Sequence, residues 1–212
     1  MISAPVPITR RTPRAEVRDR LLQAASTVFA ERGFAGATMQ QVAATAGFTT
    51  GALYSNFASK DDLFFELFDR EVTGRIAAVR AILGRADITV INEATALAAG
   101  EQMTAAMQQN REWQLLFTEF WLRAARDDQL RERWVEKRRD YHQQLTALAD
   151  DALSGWGAGA AVSSRTLMFT MLALNNGLAI EELADPGSVP ADTIGTVLVR
   201  LLGLQPNPGR SS

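Results

Sequence analysis

The chain has 212 residues, 47% of them hydrophobic, with a formal net charge of −2 and no cysteine. That is enough apolar material for one large domain, or for a small domain joined to a larger one. Without cysteine there is no disulfide, thiolate metal site or thiol nucleophile. No apolar run reaches the length of a membrane span, and the start lacks the apolar stretch of a secretory signal, so the chain reads as a cytoplasmic protein.

Residues 1–60 carry seven basic residues (Arg10, Arg11, Arg14, Arg18, Arg20, Arg32, Lys60) against three acids, and the remainder carries 15 basic residues against 21 acids. A basic end on an acidic body is what a segment that meets a polyanion looks like, although ordinary scatter of surface charge produces the same imbalance in a small domain.

Residues 1–13, with three prolines, read as a flexible arm. From Arg14 the pattern is helical, with Val17, Leu21, Ala25, Val28 and Phe29 on one face and Gly33 as terminator. Thr38 is a candidate N-cap, and Gln41 sits three residues later in the capping-box position. The short helix that follows ends at Gly47. Thr49 caps a second short helix carrying Ala52, Leu53, Tyr54 and Phe57. Ser59, followed by Asp61 and Asp62, opens a long helix, since acids complement the positive end of the helix dipole.

Further helices are predicted over 92–109, 111–126, 128–153, 163–184 and 190–203. The stretch GWGAGA is a linker, and residues 205–212 form a disordered tail. The fold class is therefore all-α, divided into the arm, a helix-turn-helix domain over 14–58 and a helical domain over 59–204. A single histidine, no Gly-rich phosphate loop and no HExxH spacing give catalysis little to work with. No enzyme, cofactor or metal site is expected.

Two short helices joined through a glycine turn are the signature of a helix-turn-helix. Val42 and Ala43 supply an inner face, Ala46 is small where helices approach, and Gly47 tolerates positive φ. Phe48 and Leu53 anchor the second helix and leave its start available to a major groove. Taken singly, Tyr54 reads equally well as a half-buried tyrosine and Lys60 as a solvated lysine.

Thr38, Val42-Ala43, Ala46-Gly47-Phe48, Thr49, Gly51, Leu53-Tyr54, Phe57, Lys60 and Leu63, preceded by Phe29-Ala30-Glu31-Arg32-Gly33-Phe34, closely resemble the DNA-binding signature of the TetR family of bacterial regulators. The likeness covers Glu16 to roughly Phe68, and Asn176-Gly177-Leu178-Ala179 echoes the family's penultimate helix.

The resemblance implies that Tyr54 donates to a phosphate, that Thr38 caps its helix beside the DNA backbone, and that Lys60 sits by a phosphate. It sets Thr49, Thr50, Gly51 and Ala52 nearest the base edges, Gln40 at the groove margin, and Arg10, Arg11 and Arg14 along the duplex. Asn56 stands where the family often has histidine; asparagine still hydrogen-bonds a phosphate but lacks the charge. Thr50, Gly51 and Ala52 are too small for bidentate base reading, so specificity is expected from methyl contacts, Gln40 and DNA shape.

The resemblance also implies that the remaining helices bind a small molecule and dimerise. Met103, Met107, Trp113, Phe117, Phe120, Trp121, Tyr141 and Phe169 are the candidate pocket residues, with Asn175, Tyr141 and His142 as polar handles for an apolar or aromatic effector. The alternative is that these aromatics only fill the core.

Leu167, Met171, Leu174 and Leu178, with Ile194, Val197, Leu198, Leu201 and Leu202, are candidate faces for a homodimer through the last two helices. A dimer of this kind binds a palindromic double-stranded DNA operator, with its recognition elements roughly 34–36 Å apart. The expected function is a repressor whose operator affinity the ligand alters. A ligand-dependent activator of the same fold is the alternative, and a helical ligand-binding module without DNA function is a rival outside that class.

Overall fold

The computed structural model describes residues 13–83, 92–154 and 162–204. Arg10 and Arg11 of the arm, the GWGAGA linker and the tail lie outside the described residues. Nine helices and no strand occur among those described: α1 (Arg14–Gly36), α2 (Met39–Ala46), α3 (Thr50–Tyr54), α4 (Lys60–Leu83), α5 (Glu93–Gln109), α6 (Arg111–Arg126), α7 (Asp128–Ser154), α8 (Ser164–Ala184) and α9 (Thr193–Leu201). No helix among them is long and apolar enough to cross a membrane.

The chain divides into two compact units, the first ending at Phe68 and the second beginning at Asp69. The division falls inside α4, ten residues beyond the boundary drawn from sequence. Its reason is packing, because Leu63, Phe64, Phe65, Leu67 and Phe68, all on α4, are buried core residues of the first unit.

In the first unit Leu21, Ala25, Val28 and Phe29 of α1 are buried, while Val17 lies only partly covered. Phe34 packs between Phe29 (tilted, 5.4 Å between ring centres) and Phe64 (edge-on, 6.0 Å). Burying side chains of this size contributes roughly 1.5–3 kcal/mol each. Gly33 (φ 68°, ψ 168°) kinks α1 rather than ending it, and helical structure resumes to Gly36.

In the second unit α9 packs on α5 so closely that a Cβ added at Gly100 would lie 2.1 Å from the backbone nitrogen of Gly195. Only glycine permits that crossing. Local caps set the helix starts: Asn92 and Thr95 form a capping box on α5, the Asp127 carboxylate accepts from Leu130 N–H (3.1 Å) before α7, and the Ser163 hydroxyl accepts from Thr166 N–H (3.2 Å) before α8.

Candidate nucleic-acid interface and ligand cavity

α2 and α3 are positioned by short-range chemistry. The Thr38 hydroxyl accepts from Gln41 N–H (3.2 Å), and the Gln41 side chain accepts from Thr38 N–H (2.9 Å). This reciprocal cap satisfies two donors that the helix start would otherwise leave open. Gly47 ends α2 in the left-handed region (φ 72°). The Thr49 hydroxyl then accepts from Ala52 N–H (3.1 Å), starting α3. Leu53, fully buried, pins α3 to the core.

What α3 leaves outward is Thr49 and Gly51, both exposed, with Thr50 and Ala52 partly covered and Tyr54 50% exposed. Among the described residues, a Cβ at Gly51 would meet nothing nearer than Thr49 Oγ1 at 3.9 Å. Thr38 and Gln40 are exposed on the neighbouring helix start, and Arg14 is exposed at the start of α1, reaching Ser55 O at 3.5 Å.

Several basic side chains of this unit serve its interior. The Lys60 ammonium donates to the carbonyls of Phe34 (2.6 Å), Ala35 (3.3 Å) and Ala37 (2.9 Å), and lies 4.6 Å from the Phe34 ring centre. These contacts account for the three donors an ammonium carries. The kink at Gly33 presents those carbonyls at the α1–α2 corner, so Lys60 has a folding partner where the sequence set a phosphate.

Arg18 donates to Asn56 O (2.9 Å) and Glu66 (2.6 Å) over the Phe57 ring, and Arg20 donates to Ala46 O (3.0 Å) over the Phe48 ring. The Asn56 amide turns back to Ala52 O (2.8 Å), and its Oδ1 is buried with no hydrogen-bond partner among the described residues. Asn56, too, faces its own helix.

The second unit contains a cavity of about 800 Å³, lined mainly by alanine, leucine and methionine, with Glu71, Arg75, Thr95, Gln102, Asn110, Tyr141 and Asn175 as its polar members. Met103, Met107, Tyr141 and Asn175 line it; Trp113, Phe117, Phe120, Trp121, Phe169 and His142 do not. Phe117 and Phe120 instead pack on the buried Trp134 (5.6 Å each), with Trp113 next to Phe117 (6.2 Å). Trp121 and Phe169 are each 43% exposed. His142 meets Phe169 edge-on at 4.9 Å and is held below its ordinary pKa, first by burial and then by Arg138.

Glu71, Arg75 and Asn110 also line the cavity, and composition had not pointed to them. The Glu71 carboxylate accepts from Arg75 Nε (3.1 Å) and Asn110 Nδ2 (2.8 Å). Burial raises the Tyr141 hydroxyl above its ordinary pKa; Arg75 pulls the other way by charge and by a hydrogen bond to the same oxygen. The available signal was an acid and an arginine four residues apart beside the Val72–Ile76–Val79 stripe.

The candidate dimer faces are redistributed as well. Ile194 and Leu202 are buried within the protomer, and Leu167, Met171, Leu198 and Leu202 line the cavity. Leu178 packs on Met107, Ala179 and Val189. The outward face of α8 is Phe169, Ala173, Gly177 and Ile180, well over a quarter-turn around the helix from the predicted one, and Val197 and Leu201 of α9 stay partly covered. The stripe drawn from sequence was the shoulder of the buried face.

Comparison with known proteins gives two family matches. Residues 21–67 match the model described as bacterial regulatory proteins, tetR family, and residues 92–204 match that of the BetI-type transcriptional repressor, C-terminal. The HTH-type transcriptional activator FasR of Mycolicibacterium smegmatis is 41% identical over 73 residues, 34% of this chain and 33% of that protein. The HTH-type transcriptional repressor AcnR of Corynebacterium diphtheriae is 28% identical over 134 residues, 63% of this chain and 64% of that protein. The matched part of the chain thus spans between one third and just under two thirds of the length of these curated relatives. Salmonella enterica GusR shares the fold, with a TM-score of 0.66 at 21% identity over 93% of this chain and 100% of that one.

Proposed function

This chain belongs to the TetR family of bacterial regulatory proteins, a family of DNA-binding transcriptional regulators, and from that premise we propose a cytoplasmic repressor that binds a palindromic operator as a homodimer and changes its affinity when a small, largely apolar molecule fills the cavity. The observation that carries the reading is the outward side of α3. It offers Thr50, Gly51 and Tyr54 on a helix whose start is capped by Thr49, with no close contact among the described residues at Gly51 to keep a duplex away.

Thr49, Thr50, Gly51 and Ala52 would read base edges, while Arg14, Thr38, Gln40 and Tyr54 would hold the backbone; phosphate contacts position and base contacts specify. The hydrogen bonds of Lys60 and Asn56 support a positioning part for both. The exposed apolar side of α8 supports an isologous interface centred on Ala173 and Gly177.

The cavity supports the effector half of the reading. A ligand shifts operator affinity only by its differential affinity for the two conformations, so any effector must prefer one arrangement of α4, the helix that carries both Lys60 and the cavity residues Glu71 and Arg75. An activator is the second reading, favoured by the likeness of the DNA-binding segment to FasR.

The test is a gel-shift titration on the DNA upstream of the protein's own gene. Specific binding is expected, and Tyr54→Phe should weaken it by about 1 kcal/mol, as for one hydrogen bond to a charged group. A purified protein that ignores every duplex offered at low salt would overturn the proposal.

A further inference from the structure

The cavity wall contains one connected polar group, and its donors and acceptors are unequal. Glu71 Oε1 receives both Arg75 Nε and Asn110 Nδ2, so the carboxylate's charge is already answered within the chain. Arg75 also donates to the Tyr141 oxygen. A guanidinium carries five N–H donors, and these two contacts use only part of that capacity. A tyrosine phenol is neutral at physiological pH, and burial of Tyr141 shifts it further that way, so it adds no competing negative charge.

Of the other polar wall residues, Thr95 is committed to the capping box of α5 through Asn92. Gln102 and Asn175 add neutral amides but no charge, and the remaining wall residues are apolar. Met103, Met107, Met168 and Met171 stand among alanines and leucines, and methionine adapts to an irregular or flexible apolar body.

We propose that the cavity takes an elongated amphiphile with a carboxylate head, the head meeting the Arg75 guanidinium beside Tyr141 and the tail lying among the methionines and leucines. This rests on the effector reading above and adds the chemical class. A carboxylate suits the planar fork of arginine. A quaternary ammonium would face the same guanidinium, with the Glu71 charge already occupied. An alcohol would leave the arginine's remaining donors largely unanswered. The volume, about 800 Å³, far exceeds what a head group alone needs.

Calorimetric titration of the full chain with dodecanoate, dodecan-1-ol and dodecyltrimethylammonium, each below its aggregation threshold, tests the class on the unaltered protein. Dodecanoate is expected to bind about tenfold or more tightly than either of the others. Arg75→Gln should erase that preference while leaving the alkanol affinity in place. Equal affinities, a preference for the ammonium, or binding of none of the three overturns the assignment.

A parallel gel shift separates the two levels of inference. Dodecanoate that binds without altering operator affinity leaves the head assignment standing and removes the effector reading. An alkanol that alters operator affinity as well as the carboxylate does leaves the effector reading standing and removes the head.

Discussion

At Gly51, on the outward side of α3, an added methyl group would meet none of the described residues nearer than Thr49 Oγ1 at 3.9 Å, whereas at Gly100, where α5 crosses α9, it would fall 2.1 Å from the Gly195 nitrogen. Both glycines are helical, and in a helix glycine costs about 1 kcal/mol relative to alanine. In the second unit the reason for that cost is visible, since two backbones touch. In the first unit no atom of the described residues requires it. The proposed duplex does, because a backbone can approach bases only where no side chain intervenes. A glycine with a crowded Cβ position reports on folding, and one whose Cβ position has only ordinary room around it, on a surface proposed to bind, directs attention outside the molecule.

The largest expected effect breaks the crowded side of this comparison. Gly100→Ala should destabilise the second unit by about 3 kcal/mol, the upper end for overpacking. All four tryptophans lie beyond Asp69, so urea unfolding followed by tryptophan fluorescence reads that unit selectively.

Next comes Lys60→Met. Losing an ammonium bound to three carbonyls should cost the first unit about 2 kcal/mol, in keeping with hydrogen bonds to charged groups. Hydrogen exchange at α2 should show it. A lysine serving only a phosphate would lower operator affinity and leave exchange unchanged, which would restore the role read from sequence.

The smallest effect sharpens the open side. Gly51→Ala should raise thermal stability slightly, by up to about 1 kcal/mol, and yet weaken operator binding about tenfold. Undiminished binding would detach Gly51 from the proposed contact.

The capping box of Thr38 and Gln41, the Gly47 stop and the Thr49 cap were legible in the sequence because each is settled within a few residues. The kink at Gly33 and the partners of Lys60 and Asn56 were not. A cation's choice between a carbonyl 26 residues away and a phosphate depends on how the corner folds, and residue type alone does not encode it. The cavity was legible in part for the same reason. Met103, Met107, Tyr141 and Asn175 line it, but Phe117 and Phe120 pack on Trp134, because an aromatic stripe on a helix does not reveal which neighbour it meets. Glu71 and Arg75 drew no attention in the sequence, because an acid and an arginine four residues apart on a helix are as common on a solvated surface as in a cavity wall. Gly100 and Gly195 carried a signal that went unused: isolated glycines inside helices, 95 residues apart, waiting for each other.

The ties of the first residues of α4 bear on protein engineering. Lys60 is bound to the carbonyls of the α1–α2 corner, and Glu66 to Arg18. A chimera that exchanged DNA specificity by splicing at residue 58 would sever both and leave Leu63 and Phe64 facing a foreign core. A cut after Phe68 transfers the ammonium, the ion pair and the phenylalanines as one cassette.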